Sequence, residues 1–239
     1  MKVLILTTKT NHHLYFLHQL SLDRRLDLLS VFEKKSIKFN FKTEHKLDDL
    51  RNSYEYSILS KKKIEYSLLS KKKEVWDINS KTSINLIKKF NPDIIISYGV
   101  GKIREEFLNN FQKKTFNLHG GNPEYYRGLD SFLWAIYHKD FKNFYVTLHE
   151  VNETFDSGGV IYKKKLTFNR KTNICNLRLI STDICLLLSK RIIKQFLSQK
   201  KYKVKSQIKK GRYYSAMPSV LKQNCINNFN NYIKNKYGI

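Results

Sequence analysis

The chain is poor in the residues that punctuate, cross-link or span. Its 239 residues include nine Gly and three Pro, which excludes a collagen-like or linker-rich protein. Three cysteines (Cys175, Cys185 and Cys225) form neither an even set nor a metal-ligand spacing. They read as reduced thiols of a cytoplasmic protein, and no bound metal is expected. Long apolar runs are missing too. The stretches at 3–6 and 184–188 fall far short of the roughly 20 residues needed to cross a bilayer, so membrane insertion is not expected. The N-terminal run turns polar at Thr7, without a signal-peptide core or cleavage site.

Acidic residues are scarce as well: 20 Asp and Glu face 45 Lys and Arg, a net charge of +25. Such a surface attracts polyanions, and nucleic acid is the first partner class to weigh. Only nine of the 45 are Arg, however, and Arg is the residue suited to bidentate phosphate and base-edge contacts. With Asn and Ile also abundant, the charge reads mainly as compositional drift, and no specific nucleic-acid partner is expected.

What is present is apolar and aromatic: 41% hydrophobic residues with 15 Tyr and 15 Phe, enough to bury a sizeable core. The length suits one large α/β domain, with 1–200 as the catalytic unit and 201–239 as a strand/helix extension suited to a homodimer contact. The continuous apolar run at 3–6 and the isoleucine-rich stretch 93–97 read as strands buried on both faces, with further strands at 27–32, 115–119, 145–151 and 160–168. Helical spacing follows Thr10-Asn11 (Leu14, Phe16, Leu17, Leu20) and Asn79-Ser80 (Ile84, Leu86, Ile87, Phe90), and Asn91-Pro92 stops the second helix. Other helices are expected at 104–111, after an Asp130 cap, at 173–199 and after Pro218, with a short strand at 211–214. Residues 34–78 are least readable. They hold a tandem near-repeat at 56–65 and 66–75, too short for a solenoid and read as a surface duplication. Strands alternating with helices predict βαβ units and a mostly parallel sheet.

Open sheets of this kind bind ligands at the carboxyl ends of their strands. There the run 116–123 places Asn117 and His119 on one strand face. An amide donor beside an imidazole suits acyl transfer, the amide holding an oxyanion and the imidazole a proton. Gly120 and Gly121 allow close backbone approach, and Pro123 stiffens the exit. Asp156, 39 residues beyond Asn117 and followed by Ser157-Gly158-Gly159, can present a carboxylate to a neighbouring His.

This Asn-x-His strand end, followed by Tyr126-Arg127-Gly128, a Trp-Ala-Ile helix, a Val-Thr strand and Asp156-Ser157-Gly158, resembles the N10-formyltetrahydrofolate-dependent formyltransferase superfamily. The likeness covers about residues 79–169. It implies a Rossmann-like formyltransferase fold, N10-formyltetrahydrofolate as co-substrate, no metal, and Asn117, His119 and Asp156 as the catalytic set, with His119 either base or electrostatic stabiliser. The folate is expected against Ile96, Ser97, Tyr98, Gly99, Val100 and Asp156. Residues 7–13 lack the Gly-rich phosphate loop of glycinamide ribonucleotide formyltransferases. The region after 168 is too short for the barrel of methionyl-tRNA formyltransferases. The run 119–128 is similar to sugar N-formyltransferases, which implies a nucleotide-linked amino-dideoxy sugar acceptor contacted by Gly120, Gly121, Pro123, Tyr125, Tyr126 and Arg127. The expected acceptor is dTDP-4-amino-4,6-dideoxyglucose, with the 3-amino isomer next, in bacterial O-antigen lipopolysaccharide synthesis. Formylation of methionyl-tRNA or glycinamide ribonucleotide is the alternative within the superfamily. From another class, the alternative is a Lys-rich nucleic-acid-binding module on a decayed catalytic fold.

Overall fold

The computed structural model describes residues 1–238. Nine strands and seven helices of four or more residues run in the order β1 (Lys2–Thr7), α1 (Asn11–Ser21), β2 (Asp27–Glu33), α2 (Lys46–Lys61), β3 (Lys72–Val75), α3 (Lys81–Phe90), β4 (Ile94–Tyr98) and α4 (Glu105–Phe111). The chain continues through β5 (Thr115–His119), β6 (Tyr126–Gly128), α5 (Ser131–Tyr137), β7 (Tyr145–Glu150), β8 (Val160–Lys165), α6 (Leu177–Leu197), β9 (Arg212–Tyr214) and α7 (Ser219–Tyr237). Seven strands form one sheet in the order β3-β2-β1-β4-β5-β7-β8. The pairs from β3 through β5 are parallel, while β5–β7 and β7–β8 are antiparallel. The mostly parallel α/β sheet flanked by helices is the one the sequence predicts.

The apolar runs explain the two faces. In β1, Val3 and Ile5 join one core, while Leu4 and Leu6 join the other. In β4, Ile94 and Ile96 again part from Ile95. A strand buried on both faces has no need of polar alternation. The larger core takes helices α1, α2, α5, α6 and α7; the smaller takes α3 and α4. Met217, Cys225, Phe229 and Ile233 belong to the larger core, so the last 39 residues contribute to the main hydrophobic packing.

Local signals mostly land where expected. Ser80 caps α3 by accepting the Ser83 N–H, and Asn91 ends it in the left-handed conformation at φ 50°. Asp130 departs from expectation. It precedes α5 but makes no side-chain cap; its Oδ2 instead accepts the Met217 N–H at 2.8 Å. Helix α6 starts at Leu177 rather than 173, because Asn173 and Asn176 spend their amides on turn hydrogen bonds just before it. The unreadable stretch 34–78 holds α2 and β3, and the two near-repeat copies differ. The first closes α2, while the second makes a 3₁₀ turn at Tyr66–Leu68 and the edge strand β3.

Candidate active site

The candidate site lies where the end of β4 sets Ser97 beside Asn117 of β5 and antiparallel β7 passes on the other side. Asn117 and His119 leave β5 on one face, as period-2 geometry requires. Opposite them, β7 supplies His149, paired in register with Asn117. The turn after β7 then brings Asp156 back over both, and its backbone takes φ 50°, a left-handed state that Asp tolerates better than most residues. Gly158 makes that turn possible: a Cβ there would sit 1.7 Å from the Glu150 carbonyl oxygen.

The hydrogen bonds fix the state of each group. Ser97 Oγ donates to Asn117 Oδ1 at 2.6 Å, so the amide turns its Nδ2 toward Asp156 Oδ1 (3.2 Å) and His149 Nε2 (3.1 Å). His119 Nε2 lies 2.8 Å from the Tyr126 carbonyl, which can only accept, so Nε2 carries the proton. The other nitrogen, Nδ1, faces Asp156 Oδ2 at 3.4 Å. His149 follows the same logic: Nδ1 donates to the Glu150 carbonyl at 2.7 Å, leaving Nε2 as the acceptor. The Gly128 N–H donates to Asp156 Oδ2 at 2.7 Å.

Burial lowers the His119 pKa below that of a free imidazole, with Asp156 opposing the shift. Burial by itself would raise the Asp156 carboxyl, but the His119 and His149 rings, through their protonated forms, and the Gly128 N–H hold it well below the ordinary carboxylate range. The pair is therefore a neutral imidazole beside an ionised carboxylate. This arrangement can accept a proton at His119 Nδ1 and offer an amide hydrogen from Asn117 to a developing oxyanion.

A cavity of about 380 Å³ opens over these groups. Of the residues expected to face a cofactor, Ser97, Tyr98, Gly99, Val100 and Asp156 line it; Ile96 is fully buried in the sheet and does not. Gly99 (φ 76°) lets the chain turn tightly over His13, whose ring a Cβ would meet at 2.4 Å. Of the expected acceptor contacts, Gly120 alone lines the cavity. Gly121 and Pro123 are buried under the loop, and Tyr125 points outward, 42% exposed. Tyr126, expected at the sugar, is buried: its ring stacks on Tyr214 and its hydroxyl donates to Asp140 at 3.0 Å. Arg127 is likewise buried, donating to the Pro123 carbonyl and to Gln207 Oε1.

Sequence reasoning missed two contributions. His149 lies within the strand predicted at 145–151, but only the pairing register sets it opposite Asn117. The C-terminal stretch left no local signal at all. Gln207 Nε2 donates to the carbonyls of Asp156 and Gly158, both at 2.8 Å, and half-exposed Tyr213 on β9 forms part of the cavity wall beside Phe155.

A profile of the family described as "Formyl transferase" matches residues 1–177. The methionyl-tRNA formyltransferase of Borreliella afzelii is 33% identical over 107 residues, 44% of this chain and 31% of the relative. The bifunctional polymyxin resistance protein ArnA of Wigglesworthia glossinidia brevipalpis is 31% identical over 96 residues, 40% of this chain and 14% of that protein. The chain thus spans less than a third of these curated relatives. Among solved structures, a sugar N-formyltransferase from a Shewanella species superposes with a TM-score of 0.62 at 16% identity, covering 95% of this chain and 87% of the other. A 4-N formyltransferase from Francisella tularensis gives 0.63 at 15% identity, with 94% and 86% covered. WlaRD, described as a sugar 3N-formyl transferase, gives 0.59 at 18% identity, with 97% and 81% covered.

Proposed function

The chain belongs to the formyl transferase family, and from that premise we propose that it transfers a formyl group from N10-formyltetrahydrofolate to the amino group of a nucleotide-linked amino-dideoxy sugar. The observation that carries this reading is the convergence of Asn117, a neutral His119 and an ionised Asp156 on one cavity. Support for a sugar acceptor comes by analogy from the fold neighbours, two of which are described as acting on sugars. WlaRD is described in the presence of dTDP and 5-N-formyl-THF. The cytoplasm, where such acceptors are made, is the proposed location, and O-antigen synthesis the proposed role.

The residues fit a folate. The cavity has the volume of an ordinary ligand pocket. It is bordered by the main chain of the 97–100 turn and by the 151–156 loop, which suit the edge of a pterin ring. When bound, the co-substrate supplies an electrophilic formyl carbon. Ser97 holds the Asn117 amide so that Nδ2 donates to the oxygen on which negative charge develops, giving up one of its present partners to do so. His119 Nδ1 takes the proton of the attacking amine and would return it to the folate nitrogen released as the formyl C–N bond breaks. Asp156, already ionised, stabilises the resulting imidazolium across 3.4 Å, while the Tyr126 carbonyl keeps the resting ring in its Nε2–H tautomer. Single changes of Asn117, His119 or Asp156 to Ala lower turnover by about 10²-fold or more, the scale of a lost oxyanion donor or positioned base.

Within the sugar class we propose a dTDP-linked 4-amino-4,6-dideoxyhexose, with the 3-amino isomer the nearest competitor. The test is competition among acceptors at equal concentration with formyl-folate limiting, read by mass shift. Formylation of a nucleotide amino sugar ahead of the others supports the reading. Preference for glycinamide ribonucleotide or charged initiator tRNA overturns it.

A further inference from the structure

The cavity extends away from Asp156 to a second set of charges, carried by α2 and α6. Arg51 on α2 lines it and is only 5% exposed. Among the described residues this guanidinium makes no hydrogen bond, and its Nε is buried without a partner. Its nearest ion-pair contact is Asp48 Oδ1 at 3.9 Å. Asp48 is already engaged, its Oδ2 accepting from Lys222 Nζ at 2.7 Å and from the His45 N–H at 3.0 Å. Asp130, also on the cavity wall, is bound to the Met217 N–H. Arg178, from the first turn of α6, lines the same space. Its Nε donates to Glu55 Oε1 and its Nη2 to Asn52 Oδ1, each at 2.7 Å. Glu55 is fully buried, and its second oxygen has only His12 Nδ1 nearby, at 3.4 Å. Burial depresses the pKa of both His12 and His13, so the two rings add no charge at neutral pH.

Glu55 is thus the one carboxylate that hydrogen-bonds either guanidinium; Asp48, shared with Lys222, and Asp130 on the wall offset charge without hydrogen-bonding Arg51, whose donors are left unused. A buried guanidinium whose donors go unused is costly, and a protein that keeps one has a use for it. The residue type is informative as well. In a chain with nine Arg among 45 basic residues, two Arg meet in this one cavity. The planar guanidinium fork matches phosphate oxygens bidentately, which an ammonium does not.

We propose that Arg51, with Arg178 beside it, binds a phosphate group of the acceptor substrate; this deepens, and rests on, the reading of the acceptor as nucleotide-linked. Neither α2 nor α6 carries a residue of the set expected to hold the folate. The acceptor would thus be held at its phosphate by α2 and α6 while its amine reaches His119.

The experiment is calorimetric titration of the full chain and its variants with thymidine 5′-diphosphate, inorganic pyrophosphate, thymidine and 5-formyltetrahydrofolate. Arg51→Gln should weaken thymidine diphosphate by about 10- to 100-fold, the scale of losing a charge-assisted pair of bonds. Pyrophosphate should weaken in parallel, while thymidine and 5-formyltetrahydrofolate stay within about twofold. A tighter diphosphate than pyrophosphate assigns the phosphate to a nucleotide; equal affinities assign the site to free phosphate groups and overturn the acceptor role. Arg178→Gln, less buried, gives the same direction if Arg51→Gln does not fold. Unchanged diphosphate binding overturns the proposal, as does a loss that falls instead on 5-formyltetrahydrofolate. Arg51-dependent diphosphate binding in a chain that formylates no nucleotide sugar would sink the sugar reading alone. Normal acceptor KM in Arg51→Gln would sink the phosphate site alone.

Discussion

Asp156 Oδ2 stands 3.4 Å from His119 Nδ1, the imidazole nitrogen left without a proton because Nε2 is bonded to the Tyr126 carbonyl. Two opposing effects meet at that pair. Burial keeps His119 neutral, and the carboxylate pulls its pKa back up.

A pH prediction follows from the signs. His119 acts as base only when neutral, so kcat/KM falls on the acid side, at a pH below the ordinary histidine value of about 6.5. Asp156→Asn removes the group that raises the pKa. The acid limb therefore moves to still lower pH, while the plateau drops by about 10²-fold or more. A limb that moves upward contradicts the assignment of His119 as base.

His149 is expected to act through Asn117. Its Nε2 accepts from the Asn117 amide at 3.1 Å and lies 3.4 Å from Asp156 Oδ1. His149→Ala should lower kcat by roughly tenfold, the effect of loosening a positioned group, with KM for the folate little changed. His149→Gln, which can still accept from Asn117, should recover part of the rate.

Gln207 ties the end of the chain to the catalytic turn through the carbonyls of Asp156 and Gly158. Gln207→Ala should cost about 1 kcal/mol of stability but roughly tenfold in kcat, because Asp156 loses its brace. Steady-state kinetics beside a urea melt separates the two. Equal turnover would show that the turn holds without it.

Phe229 on α7 is fully buried and meets Phe168 edge to face. Phe229→Ala should destabilise the whole chain by about 3–5 kcal/mol, as large-to-small core changes do. One cooperative urea transition shifted to lower midpoint is the expected trace. A separate early transition would mean that the last helix unfolds by itself.

The +25 charge makes a salt prediction. Random DNA or tRNA should bind weakly and dissociate near physiological salt, since lysine contacts act through counterion release. Tight tRNA binding that survives salt would restore the nucleic-acid reading.

Much of this protein is written locally. The runs at 3–6 and 94–97 can only be strands buried on both faces. Ser80 and Asn91 bracket a helix by their own cap chemistry, and Asn117-x-His119 shares a face by strand geometry alone. The near-repeat shows where that legibility stops. Tyr56-Ser57 and Tyr66-Ser67 begin almost identical decapeptides, yet the first copy finishes a helix whose face turns Glu55 and Leu59 inward. The second runs into strand β3, because β2 leaves an open edge there for Lys72–Val75 to pair with. The site divides in the same way. The sequence determined which residues carry the amide, the imidazole and the carboxylate. Only the tertiary structure decided that His149 stands across from Asn117, that Gln207 braces Asp156, that Tyr126 packs instead of facing the cavity, and that Arg51 is left in it without a hydrogen bond. Each of these depends on which distant segments the sheet order and the core bring together, and spacing along the chain does not encode such long-range packing.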